Sequence, residues 1–224
     1  MQNNNKRLAI VILMGGKSTR FGIEKGVIDL LGKPLILHQI ETISKFDEDI
    51  YLIAHSEEQI NTYRKQIKFS KAINFIIDDR EIFEESSNIY KPTLGIYSAF
   101  KELHEKGFHK AFLLSCDMPL IKPEAIELVI KESEGYDCCI PRWNNGFLEF
   151  FFAIYPVKLG LEKAKSILTK KNYGLVNFID TSWKINYISV ENSLKKVDKN
   201  LVSLININGP IDLYKVIRLF KDEI

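Results

Sequence analysis

The chain has 224 residues, of which 46% are hydrophobic and 27% are charged, a composition typical of a compact soluble protein with a sizeable core. Its 31 Lys and Arg against 29 Asp and Glu leave a formal net charge of +2, which excludes a broad basic surface for nucleic acid or an anionic membrane. The first long apolar run, residues 8–14, is too short to span a membrane, and no signal-peptide cleavage pattern follows it. We therefore expect a cytoplasmic protein with a single domain over residues 1–224.

Cysteine and histidine patterns give no sign of a disulfide framework or a zinc site. The three cysteines are odd in number, and two of them, Cys138 and Cys139, are adjacent rather than spaced as a metal-binding pair. The four histidines include no pair at the spacing of a zinc-binding helix. We expect buried, unreactive thiols in a reducing compartment.

Apolar runs of strand length alternate with segments of helical period, and no linker or repeat divides the chain. The predicted strands are residues 8–13, 50–54, 73–77, 111–114, 137–140 and 185–190. The predicted helices are a segment that starts near Pro34 and residues 57–67, 93–105, 123–132, 159–169 and 211–220. This order favours a mainly parallel sheet with helices on both faces, in which ligands bind at the carboxyl ends of the strands.

An aromatic segment, residues 147–155, admits two interpretations. It would serve as a stacking surface for a pterin or RNA, or as core and interface of the second half of the chain. We favour the second interpretation because no basic residues are interleaved with the aromatic ones.

The glycine-rich stretch after the first strand, residues 13–25, reads Leu-Met-Gly-Gly-Lys-Ser-Thr-Arg-Phe-Gly-Ile-Glu-Lys. Gly15 and Gly16 allow main-chain N–H groups to approach an anion, and Arg20 and Lys25 supply positive charge for phosphates. The glycine spacing matches neither the P-loop nor the dinucleotide fingerprint, so the stretch predicts neither an ATPase nor a dehydrogenase. On these residues alone, phosphate binding and a structural turn with solvated basic side chains both remain open.

The pattern LxGGxSxRxGxxK over residues 13–25, followed by Gly-Lys-Pro-Leu at 32–35, resembles the signature of MobA-like nucleotidyltransferases, the family of molybdenum cofactor guanylyltransferase. Three later segments resemble the same family in the same order. They are Pro-Thr-Leu-Gly-Ile at 92–96, Cys-Asp-Met-Pro at 116–119 and Asn-Ile-Asn-Gly-Pro-Ile-Asp-Leu at 206–213. The resemblance implies a single-domain, Rossmann-like, three-layer α/β/α fold with a mostly parallel mixed sheet, like that of nucleotide-diphospho-sugar transferases. Its N-terminal half would mainly bind the nucleotide and its C-terminal half the acceptor.

The reaction implied by this resemblance is Mg²⁺-dependent transfer of GMP from GTP to the molybdenum–molybdopterin cofactor, which yields molybdopterin guanine dinucleotide and pyrophosphate. GTP and molybdopterin would be its small-molecule partners, with transient contacts to proteins that make or receive the cofactor, and without nucleic acid or membrane. Three other activities of the same class stay open: molybdopterin cytidylyltransferase, adenosylcobinamide-phosphate guanylyltransferase and sugar-phosphate nucleotidylyltransferase. The rival from another class is a nucleotide- or cofactor-binding module without catalysis.

Nucleotidyl transfer needs charge neutralisation and in-line positioning more than covalent catalysis. The resemblance accordingly assigns catalysis to Arg20, Lys25 and Asp117, with Asp117 as the Mg²⁺ ligand. The residues expected to bind the nucleotide are Leu13, Met14, Gly15, Gly16, Lys25, Asp79 and Asp117.

Other assignments from the resemblance are less specific. The family carries an aspartate near the nucleotide after its third strand, where Asp78 and Asp79 are both candidates and we prefer Asp79. Asn206 and Asn208 fall where the family has polar residues near the acceptor, although Asn before a helix is as often a cap.

Four residues depart from the family pattern. Met14, Phe21, Glu24 and Lys91 stand where the family has alanine, methionine, aspartate and glycine. Residues 78–91 fall where the family discriminates between bases. The sequence therefore supports the reaction type, nucleotidyl transfer, most strongly. It supports GTP as the donor less strongly, and the identity of the acceptor least.

Overall fold

The structure, a computed structural model, describes residues 7–15, 20–46, 48–69, 71–79 and 92–222. The strands within these residues are β1 Leu8–Leu13, β2 Asp29–Leu30, β3 Lys33–Pro34, β4 Asp49–Ala54, β5 Ile73–Ile77, β6 Lys110–Ser115, β7 Cys138–Arg142, β8 Phe152–Pro156 and β9 Ile185–Ser189. The helices are α1 Leu35–Ile43, α2 Glu57–Gln66, α3 Pro92–Glu105, α4 Pro123–Glu132, α5 Val157–Thr169, α6 Lys195–Val197 and α7 Pro210–Asp222. In the described ranges, no helix has the length and apolar character needed to cross a bilayer.

The large sheet is parallel except at one strand. β1 pairs in parallel with β4 and β6, β4 with β5, and β7 with β9. β8 lies between β6 and β7 and is antiparallel to both, so the order is β5-β4-β1-β6-β8-β7-β9. This arrangement confirms the predicted mostly parallel, mixed sheet. The carboxyl ends of its parallel strands lie along one edge.

Apolar side chains cover both faces of this sheet. Every residue of β1 is buried, and successive residues belong alternately to two separate clusters. Ile10 and Ile12 pack with α1, α2 and α4, whereas Ala9 and Val11 pack with α3 and α5. A strand buried on both faces has no polar side, which explains the uninterrupted apolar run in the sequence. The layers are therefore helix, sheet and helix, as expected.

A third apolar cluster joins the last helix to the residues that follow the glycine-rich stretch. β2 and β3 form a small antiparallel hairpin, and α7 packs against it. Val216 and Ile207 contact the same cluster as Leu30 and Leu35. Strands of two residues show no periodicity, so the sequence pattern does not predict the hairpin. The cluster brings the segment before α7 back to the region of Lys25.

The aromatic segment 147–155 is only partly core. Phe152 and Tyr155 lie in β8 and are fully buried, as expected. Phe147 is 69% exposed and so is not part of the core, while the expected role of the segment as an interface stays a prediction. The cause of this exposure is a turn at Gly146, whose φ of +89° reverses the chain before β8 and directs Phe147 outward.

Candidate active site

Hydrogen bonds fix the main chain just beyond β1 and β6, where the sequence predicts the site. Met14 N–H donates to the Ile53 carbonyl at 3.1 Å, and Cys116 N–H donates to the Leu13 carbonyl at 3.1 Å. The Cys116 thiol donates to the Met14 carbonyl at 3.0 Å. The side chain of Met14 is fully buried, so only its main chain lies at this edge. The bonds lock the exit of β1 to that of β6.

Four of the predicted site residues meet at this edge although they are distant in the sequence. Lys25 Nζ lies 2.7 Å from Asp117 Oδ2 and 3.2 Å from Asn208 Oδ1. Arg20 Nη1 donates to the main-chain carbonyl of Asn208 at 2.9 Å. Asn206 stays apart, since its side-chain amide donates to a main-chain carbonyl in its own turn at 3.2 Å. The catalytic set predicted from the sequence is thus assembled, and the two asparagines are separated.

The main chain around Asp117 is held on both sides. Its carbonyl accepts from Ile207 N–H at 2.9 Å. The side-chain amide of Gln39, which is fully buried, donates to the carbonyls of Ser115 and Met118 at 3.0 and 3.3 Å. Gln39 lies on the buried face of an apolar helix, a signal that was available in the sequence. These bonds fix the direction of the Asp117 side chain.

The two carboxylate oxygens of Asp117 differ in their hydrogen bonding. The side chain is 7% exposed, and Oδ2 accepts from Lys25. Oδ1 is buried and has no hydrogen-bond partner among the described residues. A buried polar atom without a partner costs free energy, and such atoms in native structures often mark the position of an ion or ligand.

This donor set fits a divalent cation that is shared with a phosphate-bearing ligand. Within the described parts of the chain, no three His, Cys, Asp or Glu side chains are gathered to hold a metal by themselves. Mg²⁺ commonly takes one or two protein carboxylates and completes its shell with phosphate oxygens and water. The orphaned Oδ1 of Asp117 matches that requirement, and the neighbouring Lys25 would attract the same phosphates.

A cavity of about 200 Å³ opens at the same edge, between the ends of β1, β4 and β6. Its lining residues are Leu13, Gly15, Ile53, His55, Asp78, Pro92, Gly95, Ser115 and Phe151. Gly15 has a φ of +64°, in the left-handed region that glycine adopts without strain. Two of the residues predicted for the nucleotide, Leu13 and Gly15, therefore line this cavity.

Asp78 and Asp79 point to different places. Asp78 lines the cavity, and its Oδ1 lies 3.3 Å from the position that a Cβ at Gly95 would occupy. Asp79 Oδ2 lies 2.7 Å from Lys101 Nζ, and its N–H donates to the Ser98 hydroxyl at 2.8 Å. The hydrogen bond to Asp79 raises the pKa of Lys101. The geometry favours Asp78, not the preferred Asp79, as the aspartate that faces the cavity.

Two further predictions fall outside the described residues. Gly16, expected to bind the nucleotide, is one of them. The other is the stretch up to Lys91 that is expected to influence the choice of base. The described residues at either side of these gaps, Gly15, Asp79 and Pro92, lie close to the edge that carries the cavity.

Two buried polar residues at the site, Gln59 and Glu24, are not among the site residues predicted from the sequence. Gln59 is 2% exposed and Glu24 is 7% exposed, and their side chains are 2.6 Å apart. The signal for Gln59 is the Ser-Glu-Glu-Gln pattern at 56–59, which is typical of a helix start whose fourth residue turns its side chain back toward the cap.

The sequence matches the family model of the MobA-like NTP transferase domain over residues 10–182. A probable molybdenum cofactor guanylyltransferase from Thermococcus sibiricus is 33% identical over 210 residues, which cover 92% of this chain and 95% of that protein. One from Pyrococcus horikoshii is 30% identical over 214 residues, which cover 93% and 98%. The crystal structure of molybdopterin-guanine dinucleotide biosynthesis protein A from Archaeoglobus fulgidus superimposes with a TM-score of 0.76 at 26% identity, covering 96% of this chain and 99% of that one. The chain therefore belongs to the MobA-like NTP transferase family and is a nucleotidyltransferase.

Proposed function

We propose that the protein transfers GMP from GTP to the molybdenum–molybdopterin cofactor in a Mg²⁺-dependent reaction. The observation that carries this proposal is the cluster of Lys25, Asp117 and Asn208 at the carboxyl edge of the sheet. One buried carboxylate oxygen of this cluster has no partner in the part of the chain that the structure describes. The printed names of the relatives from Thermococcus sibiricus and Pyrococcus horikoshii support guanylyl transfer to this cofactor.

The residues of the cluster have separate roles in this proposal. Asp117 would hold Mg²⁺, which when bound neutralises phosphate charge and orients the triphosphate. Lys25 and Arg20 supply positive charge for the α-phosphate and for the departing pyrophosphate, as a point charge and a forked donor respectively. Because the reaction builds up charge on phosphate oxygens, fixed positive groups at this edge stabilise its transition state.

In this proposal the nucleotide binds in the cavity at the carboxyl edge of the sheet. The main chain of Leu13, Met14, Gly15 and Gly16 contacts the nucleotide, and the carboxylate of Asp78 serves the role that the resemblance gives to Asp79. A carboxylate is an acceptor that matches the N–H groups on one edge of guanine. Cytosine and adenine do not present the same pair of donors, which supports GTP as the donor substrate.

The acceptor approaches from the C-terminal half. The whole chain acts as one domain, whose N-terminal half mainly binds nucleotide and whose C-terminal half mainly binds the acceptor. Of the two asparagines we assign Asn208 to the region of the reacting phosphate, because it contacts Lys25 while the Asn206 side chain is bonded within its own turn. The reaction takes place in the cytoplasm, with transient contacts to proteins that make or receive the cofactor.

Pyrophosphate release from each of GTP, CTP, ATP and UTP, with molybdopterin and Mg²⁺, tests the proposal. We expect release with GTP, dependent on both the acceptor and the metal. Turnover with CTP but not GTP would overturn the guanylyl assignment. Nucleotide binding without pyrophosphate release, with molybdopterin, adenosylcobinamide phosphate or sugar phosphates as acceptors, would favour a non-catalytic binding module.

A further inference from the structure

The start of α2 carries a buried amide whose hydrogen-bonding groups are all engaged. Ser56 caps the helix, and its hydroxyl accepts from Gln59 N–H at 3.2 Å. The side-chain Oε1 of Gln59 accepts from His55 N–H at 2.9 Å. Gln59 is 2% exposed, so water does not compete for these groups. The cap and this bond fix the direction in which the Gln59 side chain leaves the helix.

The amide nitrogen of Gln59 joins the two ends of the glycine-rich stretch. Gln59 Nε2 donates to the Gly15 carbonyl at 2.8 Å and to Glu24 Oε2 at 2.6 Å. Both acceptors belong to chain positions on either side of residues 16–23. A primary amide is suited to this place because it offers two donors and one acceptor in a fixed plane. A carboxylate at the same position would lose both donors.

One turn further along α2, a second side chain holds the same stretch. The Tyr63 hydroxyl accepts from Gly26 N–H at 3.1 Å. Gly26 has no room for a side chain, because a Cβ there would lie 2.5 Å from that hydroxyl. Residues 24 and 26 are therefore both bonded to α2, one through Gln59 and one through Tyr63. Lys25, which reaches Asp117 at 2.7 Å, stands between them.

We propose that Gln59 is a positioning residue for the nucleotide. By binding both Gly15 and Glu24, it fixes the distance between these two residues of the glycine-rich stretch and the direction of the Lys25 side chain. The role rests on the proposed function of this stretch. In this proposal Gln59 is not itself a ligand of the phosphates or of the acceptor. Its effect passes through Gly15 and Glu24, which flank the stretch.

The test compares Gln59→Leu with Gln66→Leu. Leucine at 59 keeps the volume and removes the two donors and the acceptor of the amide, whereas Gln66 lies exposed at the end of the same helix and controls for the change of residue type. We call the two hydrogen bonds from Gln59 to Gly15 and Glu24 the clamp. Hydrogen–deuterium exchange of the peptides that contain residues 15–26 measures, without any ligand, whether the clamp restrains these residues. Isothermal titration with GTP and Mg²⁺ measures the effect on nucleotide binding. The stoichiometry gives the fraction of protein that is folded, and the dissociation constant gives the affinity of the binding site in that folded protein.

We expect Gln59→Leu to exchange faster over residues 15–26 and to bind GTP about tenfold more weakly, because the hydrogen bonds of the side chain with Gly15, Glu24 and His55 are lost. Gln66→Leu should match the parent in both measurements. A merely structural role would lower the stoichiometry and leave the dissociation constant unchanged, which would overturn the proposal. Unchanged exchange over residues 15–26 would overturn it as well. If the parent bound no nucleotide, the proposed function would fail, while the exchange data would still decide whether Gln59 clamps the stretch.

If Gln59→Leu does not fold, a second pair of variants, in which the amide of Gln59 and the carboxylate of Glu24 are swapped, still tests the proposal. Gln59→Glu places two carboxylates against each other, and the added Glu24→Gln restores a donor–acceptor pair between these positions but no donor for Gly15. We expect GTP affinity in the order parent, double variant, single variant. A double variant that binds no better than Gln59→Glu would contradict the clamp.

Discussion

At the residue scale, Lys25 and Asp117 form an ion pair through one oxygen of the carboxylate. Their 2.7 Å contact is largely shielded from water, with side-chain exposures of 25% and 7%. A triphosphate with its metal would take over both partners, the metal at Asp117 and the phosphates at Lys25. The ion pair holds these two groups together at the carboxyl edge of the sheet.

Replacing Lys25 by Ala should weaken binding of GTP by at least about tenfold, since a charge-assisted contact to phosphate is lost. Binding of guanosine, which has no phosphate, should be unchanged. Calorimetric titration of both ligands measures the difference. Lys33→Ala is the matched control, because Lys33 pairs with Glu41 at 2.7 Å on the surface of the hairpin and should leave both affinities as they are. Equal GTP affinity in Lys25→Ala and the parent would contradict the assignment of the stretch to phosphates.

Replacing Asp78 and Asp79 one at a time should have different effects on GTP binding and on stability. Asp78→Asn should raise the KM for GTP because its carboxylate lines the cavity. Asp79→Asn should leave KM unchanged and lower the free energy of unfolding by at most about 1 kcal/mol, since it breaks an exposed ion pair with Lys101. Steady-state kinetics and urea unfolding of both variants provide the measurements. A raised KM in Asp79→Asn alone would restore the preference drawn from the sequence.

At the element scale, two helical glycines should give opposite results when replaced by alanine. In α3, a Cβ at Gly95 would lie 3.0 Å from Leu13 Cδ2 and narrow the cavity, so Gly95→Ala should weaken GTP binding with little loss of stability. In α5, a Cβ at Gly160 would overlap the ring of Phe100, so Gly160→Ala should lower the free energy of unfolding by about 1–3 kcal/mol with unchanged affinity. Urea unfolding and GTP titration distinguish the two, and weaker stability without weaker binding in Gly95→Ala would contradict the placement of the cavity.

The elements themselves could be predicted because their signals are local. The buried strands are apolar runs bounded by turns, and α4 begins at Pro123, a residue favoured in the first helical turn. The hairpin of β2 and β3 and the outward turn at Gly146 escaped prediction, since their short strands and single residues carry no period. The sequence does not show which of Asp78 and Asp79 faces the cavity for a related reason. Neighbouring residues at the end of a strand point in opposite directions, and only the pairing register decides which of them faces the cavity.

At the scale of the whole molecule, the site depends on contacts between distant parts of the chain. Asn208 meets Lys25 across 183 residues of sequence, and Asp117 meets it across 92. Periodicity predicts no such contact, and only the family resemblance placed these residues in one site. The near balance of 31 basic and 29 acidic residues gives no sign of this site, because the charged groups that meet there are few and local.

The three thiols of the molecule should be unreactive while it is folded. All are buried, and burial raises the pKa of Cys116 and Cys138 well above the ordinary value and that of Cys139 to about 12. A raised pKa leaves almost no thiolate at pH 8, and the thiolate is the reactive form. Titration with Ellman's reagent at pH 8 should detect no fast-reacting thiol in the native protein and three after unfolding in urea. A thiol that reacts at once in the native state would contradict the packing at the ends of β1, β6 and β7.

The most direct test of the site is the isosteric variant Asp117→Asn. We expect a folded protein with unchanged overall secondary structure and a GTP affinity that no longer increases when Mg²⁺ is added. Its rate of pyrophosphate release should be at least about 100-fold below that of the parent, because the proposed metal ligand is gone. An Asp117→Asn variant that binds GTP in a Mg²⁺-dependent way and turns over like the parent would contradict the role of Asp117 and, with it, the location of the active site.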